Sequence, residues 1–381
     1  MTDFFAYADL TFPEIATLER DCPLVIPLGK DYDLSKLASA LSQPPKIGIL
    51  PPLPYGWGGS GLHLPERLLS DLLRNLLDSL QEDGFSRVFV LTPQELNLEL
   101  DARRITLFHP SQTAASVFLP DFEQRNKVIV IPIGHTEQHA YHLPMSTDTL
   151  IIEAIGKGVA KAMPDTAYCL PVFPYGVSTH RQAFAGTLNC DGRAFEDFWI
   201  GVVDVLASRG FDRIYFINGH GGNHSFLVNV VKYAGERHRR VFSATSWLYL
   251  SGPEGVASLE RHRQSRIGGM GHACELETSL ILHLQPSLVH MERAVDEVDF
   301  IATPNYYMDW VEGGALIANP PWDDDTVTGA YGASSLGTAK KGEYWLQAAI
   351  AEKAAHVAEI HEQQTRREAK RLTGFGLWGR S

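Results

Sequence analysis

Apolar residues run through this chain in two rhythms. Short runs rich in β-branched and aromatic residues, Val88-Phe-Val-Leu91, Val128-Ile-Val-Ile131 and Ile214-Tyr-Phe-Ile217, are bounded by turn residues and predict buried strands. Val241-Phe-Ser-Ala-Thr-Ser-Trp247 reads as another strand. Between them the apolar positions fall at helical spacing. Leu68, Leu69, Leu72, Leu73, Leu76, Leu77 and Leu80 form one such stripe, and Phe195, Trp199, Val202, Val203 and Leu206 form a second. Ile151, Ile152, Ile155 and Val159 give a third, in a helix beginning at Thr147-Asp148, and a further helix surrounds Phe226–Tyr233. Gly84-Phe85 and Gly210-Phe211 are glycine stops to the first two. Thr338 to about Arg371 predicts one long helix, apolar at Trp345, Leu346, Ala349, Ile350, Val357 and Ile360. Strands alternating with helices mean an α/β sandwich on a mainly parallel sheet.

The pattern also repeats. Cys22-Pro-Leu-Val-Ile-Pro27-Leu-Gly29 parallels Val128-Ile-Val-Ile-Pro132-Ile-Gly134, and Ile49-Leu-Pro-Pro-Leu-Pro54-Tyr55-Gly56 parallels Cys169-Leu-Pro-Val-Phe-Pro174-Tyr175-Gly176. A helix, a Gly-Phe stop and a strand follow each pair in the same order. A degenerate tandem duplication is the expectation, with residues 1–118 a shortened structural copy and 119–381 the domain that carries chemistry. Where the second copy has Glu137 and His139, the first has Tyr32 and Leu34; where the second reads Asn218-Gly219-His220, the first reads Thr92-Pro93-Gln94.

Composition narrows the function classes. The chain has 381 residues, 44% of them apolar, with a formal net charge of −12. That balance belongs to globular proteins with small-molecule substrates and lacks the basic face a phosphate backbone requires. No apolar run is long enough to cross a bilayer, and the acidic first residues do not form a signal peptide. Four cysteines without CxxC spacing point to a reducing cytoplasm.

Candidate chemistry gathers at strand ends, where open α/β sheets put their sites. Ile131-Pro-Ile-Gly-His-Thr-Glu137-Gln-His139-Ala-Tyr-His142-Leu-Pro-Met-Ser-Thr-Asp148 places Glu137 and His139 two apart, on one side of an extended chain, with Asp148 in the first turn of the next helix. His220 lies in the glycine-rich turn Asn218-Gly-His-Gly-Gly-Asn223, and His272-Ala-Cys-Glu275-Leu-Glu277-Thr-Ser279 opens another helix. Carboxylate and imidazole together suit Zn, Mn or Fe.

These motifs, with Tyr175-Gly-Val-Ser178-Thr-His180 and Phe184-Ala-Gly-Thr187, resemble the creatininase (creatinine amidohydrolase) family in family order over about residues 120–350. The resemblance implies a three-layer αβα sandwich and a binuclear metal hydrolase. It implies that Glu137 and His220 bind one divalent ion, His139 the other, and that Asp148 bridges them. Glu277 is implied as the extra ligand and as a catalytic residue, and His272 as the proton donor. Substrate contacts are implied for Ser178, His180, Gly221 and Trp247. The implied reaction opens a cyclic amide, an amidine or a related C–N bond by a metal-bridged hydroxide. Gly221 and Gly222 stand where the enzyme that names the family has Tyr and a metal-binding Glu, and Gly268 stands where it has a tryptophan wall. The expected substrate is therefore not creatinine. Family relatives leave a deformylase or an inosose-type ring-opening hydrolase as alternatives on the same centre. A ligand-binding scaffold without catalysis is the alternative of another class. The family also implies a homo-oligomer, here a trimer of pseudo-dimers or a smaller assembly.

Overall fold

The computed structural model describes residues 2–93, 96, 98–107, 125–179, 183–310 and 315–372. Two parallel sheets organise it. The first joins β1 (Asp3–Ala6), β2 (Leu24–Pro27), β3 (Lys46–Ile49), β4 (Val88–Thr92) and β5 (Arg104–Thr106) in the order β1-β3-β2-β4-β5. The second joins β6 (Val128–Ile133), β7 (Ala167–Cys169), β8 (Arg213–Asn218) and β9 (Phe242–Thr245) in the order β7-β6-β8-β9. Parallel strands need crossovers, and helices supply them. The helices are α1 (Phe12–Ala16), α2 (Leu34–Ala40), α3 (Glu66–Glu82), α4 (Thr147–Ala162), α5 (Gly192–Ser208) and α6 (His224–Arg237), followed by α7 (Pro253–His262), α8 (Glu275–Leu284) and α9 (Ala339–Leu372), which join no parallel strands. Every residue of β6 and of β8 is buried, as strands covered on both faces require. This is an α/β fold of mainly parallel sheets flanked by helices.

The two sheets share connectivity and register. Leu24 lies opposite Val88 and Pro27 opposite Leu91, while Ile129 lies opposite Ile214 and Pro132 opposite Ile217. Beyond each strand, Gly29 donates its amide to the Leu53 carbonyl and Gly134 donates to Phe173, both at 2.9 Å. Helices α3 and α5 are 17 residues each and pack against one another. Leu69, Leu72 and Leu76 of the first join Phe198, Trp199 and Val202 of the second in one continuous core. The expected boundary between residues 118 and 119 lies outside the described residues, as does Gln94.

A third sheet was not legible in the periodicity. Strands β10 (Met270–His272), β11 (Asp296–Glu297) and β12 (Tyr331–Ala333) pair antiparallel in the order β10-β12-β11. Two or three residues are too few for alternation to register. This sheet puts His272 on a strand of its own rather than in a loop at the end of a parallel strand. The loop-rich stretch 296–335 supplies the other two strands and one side of a large cavity.

Candidate metal centre

The chemistry-bearing loops leave the C-terminal ends of β6 and β8. Gly134 lets α4 come close: a Cβ there would lie 2.5 Å from the Thr149 Cα, so the first turn of α4, with Asp148, can sit over the end of β6. Asn223 ties three loops together, accepting from the Val177 amide at 2.9 Å and donating to the Gly134 carbonyl at 3.4 Å. The N-terminal half takes part too. Met145 and Ser146 donate their amides to the carbonyls of Leu10 and Ala8, each at 2.9 Å, immediately before α4.

Two groups of buried ligand-type side chains result. His135, Glu137 and His220 form one, and His139, His272 and Glu277 the other; within each, the ligand atoms lie within 4.8 Å of one another. Asp148 stands between them, with Oδ1 3.2 Å from His139 Nε2 and Oδ2 3.3 Å from His220 Nδ1. Glu137 and His139 therefore fall into different groups instead of sharing one, although they are two residues apart.

The far nitrogens decide what the near ones can do. His220 Nε2 is 3.0 Å from the Val177 carbonyl and His139 Nδ1 is 3.0 Å from the Glu137 carbonyl. A carbonyl only accepts, so each of these nitrogens carries the proton and the other keeps its lone pair. On His220 that lone pair faces Glu137 Oε2 at 2.7 Å; on His139 it faces Asp148 and, at 3.8 Å, Glu277 Oε1. Lone pairs set against buried carboxylates repel unless a cation, either a proton or a metal ion, lies between them. Glu137 Oε2 and Asp148 Oδ2 are buried with no hydrogen-bond donor in good geometry among the described residues.

Without metal, protons take that place. Burial opposes a charged His220, but Glu137 and Asp148 outweigh it and raise its pKa to about 10. Burial likewise opposes a charged His139, and Asp148, Glu277 and Glu137 bring it up to about 9. Burial also works against ionised Glu137, yet His220 and His272 hold it well below the usual carboxylate range. Glu277 moves the other way. Burial, reinforced by Asp148 and Glu137 against the pull of His139, lifts it to about 7. Burial and the His139 charge push His272 down to about 4, and its Nε2 faces the Gln138 carbonyl at 2.7 Å.

Glu275 turns elsewhere. Its carboxylate accepts from the amides of Gln264 and Ser265 and pairs with Lys341 at 2.5 Å. His142 Nε2 lies 2.8 Å from Thr278 Oγ1.

Glu137, Asp148, His220, His272 and Glu277 open onto a cavity of about 730 Å³. Its other walls include Phe226, Trp247, Tyr306, Met308, Trp310, Trp322 and Tyr331, and no lysine or arginine among the described residues. Trp247, 39% exposed, and Gly221 both line it. Ser178 is buried and is not among those walls, and His180 lies outside the described residues. Two neighbours of the centre have no separate place in the sequence-based site. His135 was visible only as a histidine two before Glu137. Tyr249, whose hydroxyl is 2.6 Å from the Gly219 carbonyl and 3.2 Å from Asp148 Oδ1, reaches the centre from a loop that nothing in the sequence marks.

Known proteins share this arrangement of chain. Over 198 residues the chain is 32% identical to a mycofactocin precursor peptide peptidase of Mycobacterium ulcerans (strain Agy99), covering 50% of this chain and 70% of that protein. It is 30% identical over 182 residues to creatinine amidohydrolase of Pseudomonas putida, covering 44% of this chain and 68% of the other. A crystal structure of creatinine amidohydrolase (creatininase) superposes with a TM-score of 0.50 at 25% identity, covering 61% of this chain and 90% of that one. The family model described as creatininase, creatinine amidohydrolase, matches residues 116–357, a span that takes in both ligand groups and Asp148 between them, and the chain belongs to that family of hydrolases.

Proposed function

We propose that this creatininase-family hydrolase is a binuclear metal-dependent amidohydrolase that cleaves a C–N bond in a neutral or cationic substrate. The observation that carries this is the pair of histidines, His139 and His220, each pinned by a carbonyl so that its lone pair turns toward the one shared carboxylate, Asp148. Metal-ligating histidines are held in this way by outer-shell carbonyls. Glu137 and His220 would hold one divalent ion, His139 and Glu277 the other, with Asp148 common to both. Bound there, Zn, Mn or Fe ions would supply an acidified water and a polarised carbonyl. The protein's own part is to orient and to move protons. Glu277, lifted to about 7 by burial in the metal-free protein, would give up its proton on taking an ion. His272 has Nε2 against the Gln138 carbonyl, so Nε2 carries the ring's proton and Nδ1 a lone pair that can take up a proton and pass it to the leaving nitrogen. The aromatic walls exclude water and take up an apolar body, and a lining with carboxylates but no lysine or arginine among the described residues disfavours anions.

A cyclic amide or amidine other than creatinine is the first substrate class. The size of the cavity and the likeness to a precursor-peptide peptidase favour an acyclic peptide bond as the second. Purified protein should carry two divalent ions per chain, and chelation should abolish turnover. A panel of cyclic ureides, lactams, formamides, inosose-type ketones and short peptides would then assign the bond. Full activity in a metal-free preparation would sink the proposal.

Metal uptake should also be proton-linked. Because His139 and His220 sit at about 9 and about 10 without metal, both are protonated at pH 7.5 and must lose that proton to ligate. Calorimetric titration with zinc in buffers of different ionisation enthalpy should show about two protons released per chain, with affinity rising as pH climbs toward 9. Uptake independent of pH between 6 and 9 would contradict this.

The shared strand order and register of the two sheets support reading residues 1–118 as a degenerate copy of the domain that follows. In it Tyr32, hydrogen-bonded to the Leu28 carbonyl, occupies the position of Glu137.

A further inference from the structure

A neutral imidazole has one N–H and one lone pair, and the partner of one nitrogen fixes the role of the other. His139 and His220 each place one nitrogen against a carbonyl and so turn a lone pair inward. His135 is built the opposite way. Its Nδ1 lies 2.9 Å from the backbone N–H of Gly176, an amide that can only donate. Nδ1 must therefore hold the lone pair and Nε2 the proton. Turning the ring over would set a carbon-bound hydrogen against that amide, so the orientation is fixed as well. The backbone is held in turn by Thr149 Oγ1, which donates to the His135 carbonyl at 3.0 Å.

The side chain is fully buried, and its Nε2 has no hydrogen-bond partner among the described residues. An unpaired buried N–H loses its hydration without return, so such a group calls for an acceptor. One is at hand. Glu137 offers a buried carboxylate, and His135 and Glu137 belong to the same group of side chains, with ligand-type atoms within 4.8 Å. The His135 ring also stacks at a tilt on His220, with 4.4 Å between centroids.

We propose that His135 is not a third ligand of the Glu137–His220 ion but a positioning residue, whose Nε2–H donates to the Glu137 carboxylate and holds it in the orientation that binds metal. Proximity alone would make His135 a ligand; the Gly176 amide gives it the wrong tautomer for that. Donation from an outer residue to a ligating carboxylate fixes its geometry, and losing such a partner typically costs about 10–100-fold in metal affinity. The inference rests on the binuclear reading, but its core, the tautomer, can be tested without metal.

The experiment has two arms. In the first, ¹⁵N NMR of the metal-free, histidine-labelled protein, with the His135 signal assigned by its loss in H135Q, should show Nδ1 unprotonated and Nε2 protonated, and zinc should leave that pattern unchanged. A protonated Nδ1, or an Nε2 that loses its proton when zinc is added, overturns the proposal. In the second arm, zinc is titrated into wild type, H135A and H135Q. H135A should still saturate at two ions, with one step weakened about 10–100-fold, and H135Q, which restores an N–H near Nε2, should recover most of that loss. Saturation of H135A at one ion makes His135 a ligand and overturns the proposal, as does an unchanged affinity in H135A. If wild type takes up no zinc at all, the metal centre itself fails, while the NMR arm still decides the tautomer.

Discussion

Replacing Asp148 by asparagine is expected to remove both metal ions at once and to lower turnover by about 10³-fold or more, since losing even an outer-shell partner costs 10–100-fold in affinity. Among the described residues Asp148 is the one carboxylate within 3.3 Å of a candidate ligand nitrogen in each group, through Oδ1 on the His139 side and Oδ2 on the His220 side. Asparagine keeps the size and the place in the first turn of α4, so the fold should persist while the shared negative charge is lost. What remains is two inward-facing histidines with one fewer anion to balance a cation. Glu137→Gln and His220→Ala touch one group each, so each should cost the ion on its own side and leave the other measurable. Glu275→Gln is the control, because Glu275 is held by Lys341 and two amides instead of by the centre. Elemental analysis and turnover measured on the same preparations would check this series. Asp148→Asn protein that retains two ions and loses only a few-fold in rate would refute the shared-ligand arrangement.

The strands and the long helices were legible because each obeys a local period. Val128–Ile131 and the Leu68–Leu80 stripe carry their burial in their spacing, and the helix expected over Thr338 to about Arg371 is Ala339–Leu372. The small antiparallel sheet was not, because its strands are held by partners 35 to 62 residues away rather than by any pattern of their own. The candidate site divides in the same way. Glu137, His139 and His220 lie in loops directly attached to strand ends and Asp148 in the first turn of the helix that follows, so topology alone brings them close. The resemblance alone favours Glu277 over Glu275, and the structure adds that Glu275 is held by Lys341. Residues two apart on a helix point about 200° away from each other, and spacing cannot say which one faces the centre. The chemistry of His135 was further out of reach, since its tautomer depends on the amide of Gly176, forty-one residues on, and no property of residue 135 itself records that.

The pair Gly221-Gly222 gives the second large expected effect, and the two glycines should behave oppositely. In the enzyme that names the family a glutamate ligand stands at the second of these positions, so Gly222→Glu looks like a restoration. The structure predicts damage. A Cβ on Gly222 would lie 2.2 Å from the Val177 carbonyl oxygen and 2.5 Å from His220 Nε2. Those are the two atoms of the hydrogen bond that turns the His220 lone pair inward. The carbonyl is backbone and cannot swing aside, so His220 must give way, and with it the Glu137 side of the centre. Gly222→Ala should already weaken the ion on that side by about 10–100-fold, the cost of losing an outer-shell partner. Gly222→Glu should do at least as much harm and restore nothing, because its carboxylate cannot enter without the same collision. At Gly221 a Cβ would meet only the edge of the Trp247 ring at 3.9 Å, an ordinary contact, so Gly221→Ala should keep both ions and change only how the cavity receives substrate. Zinc titrations of the three variants beside wild type provide the check. A Gly222→Glu protein with equal or tighter metal binding would mean that the loop can rebuild itself around a carboxylate, and that the close contact between Gly222 and Val177 is not what excludes one here.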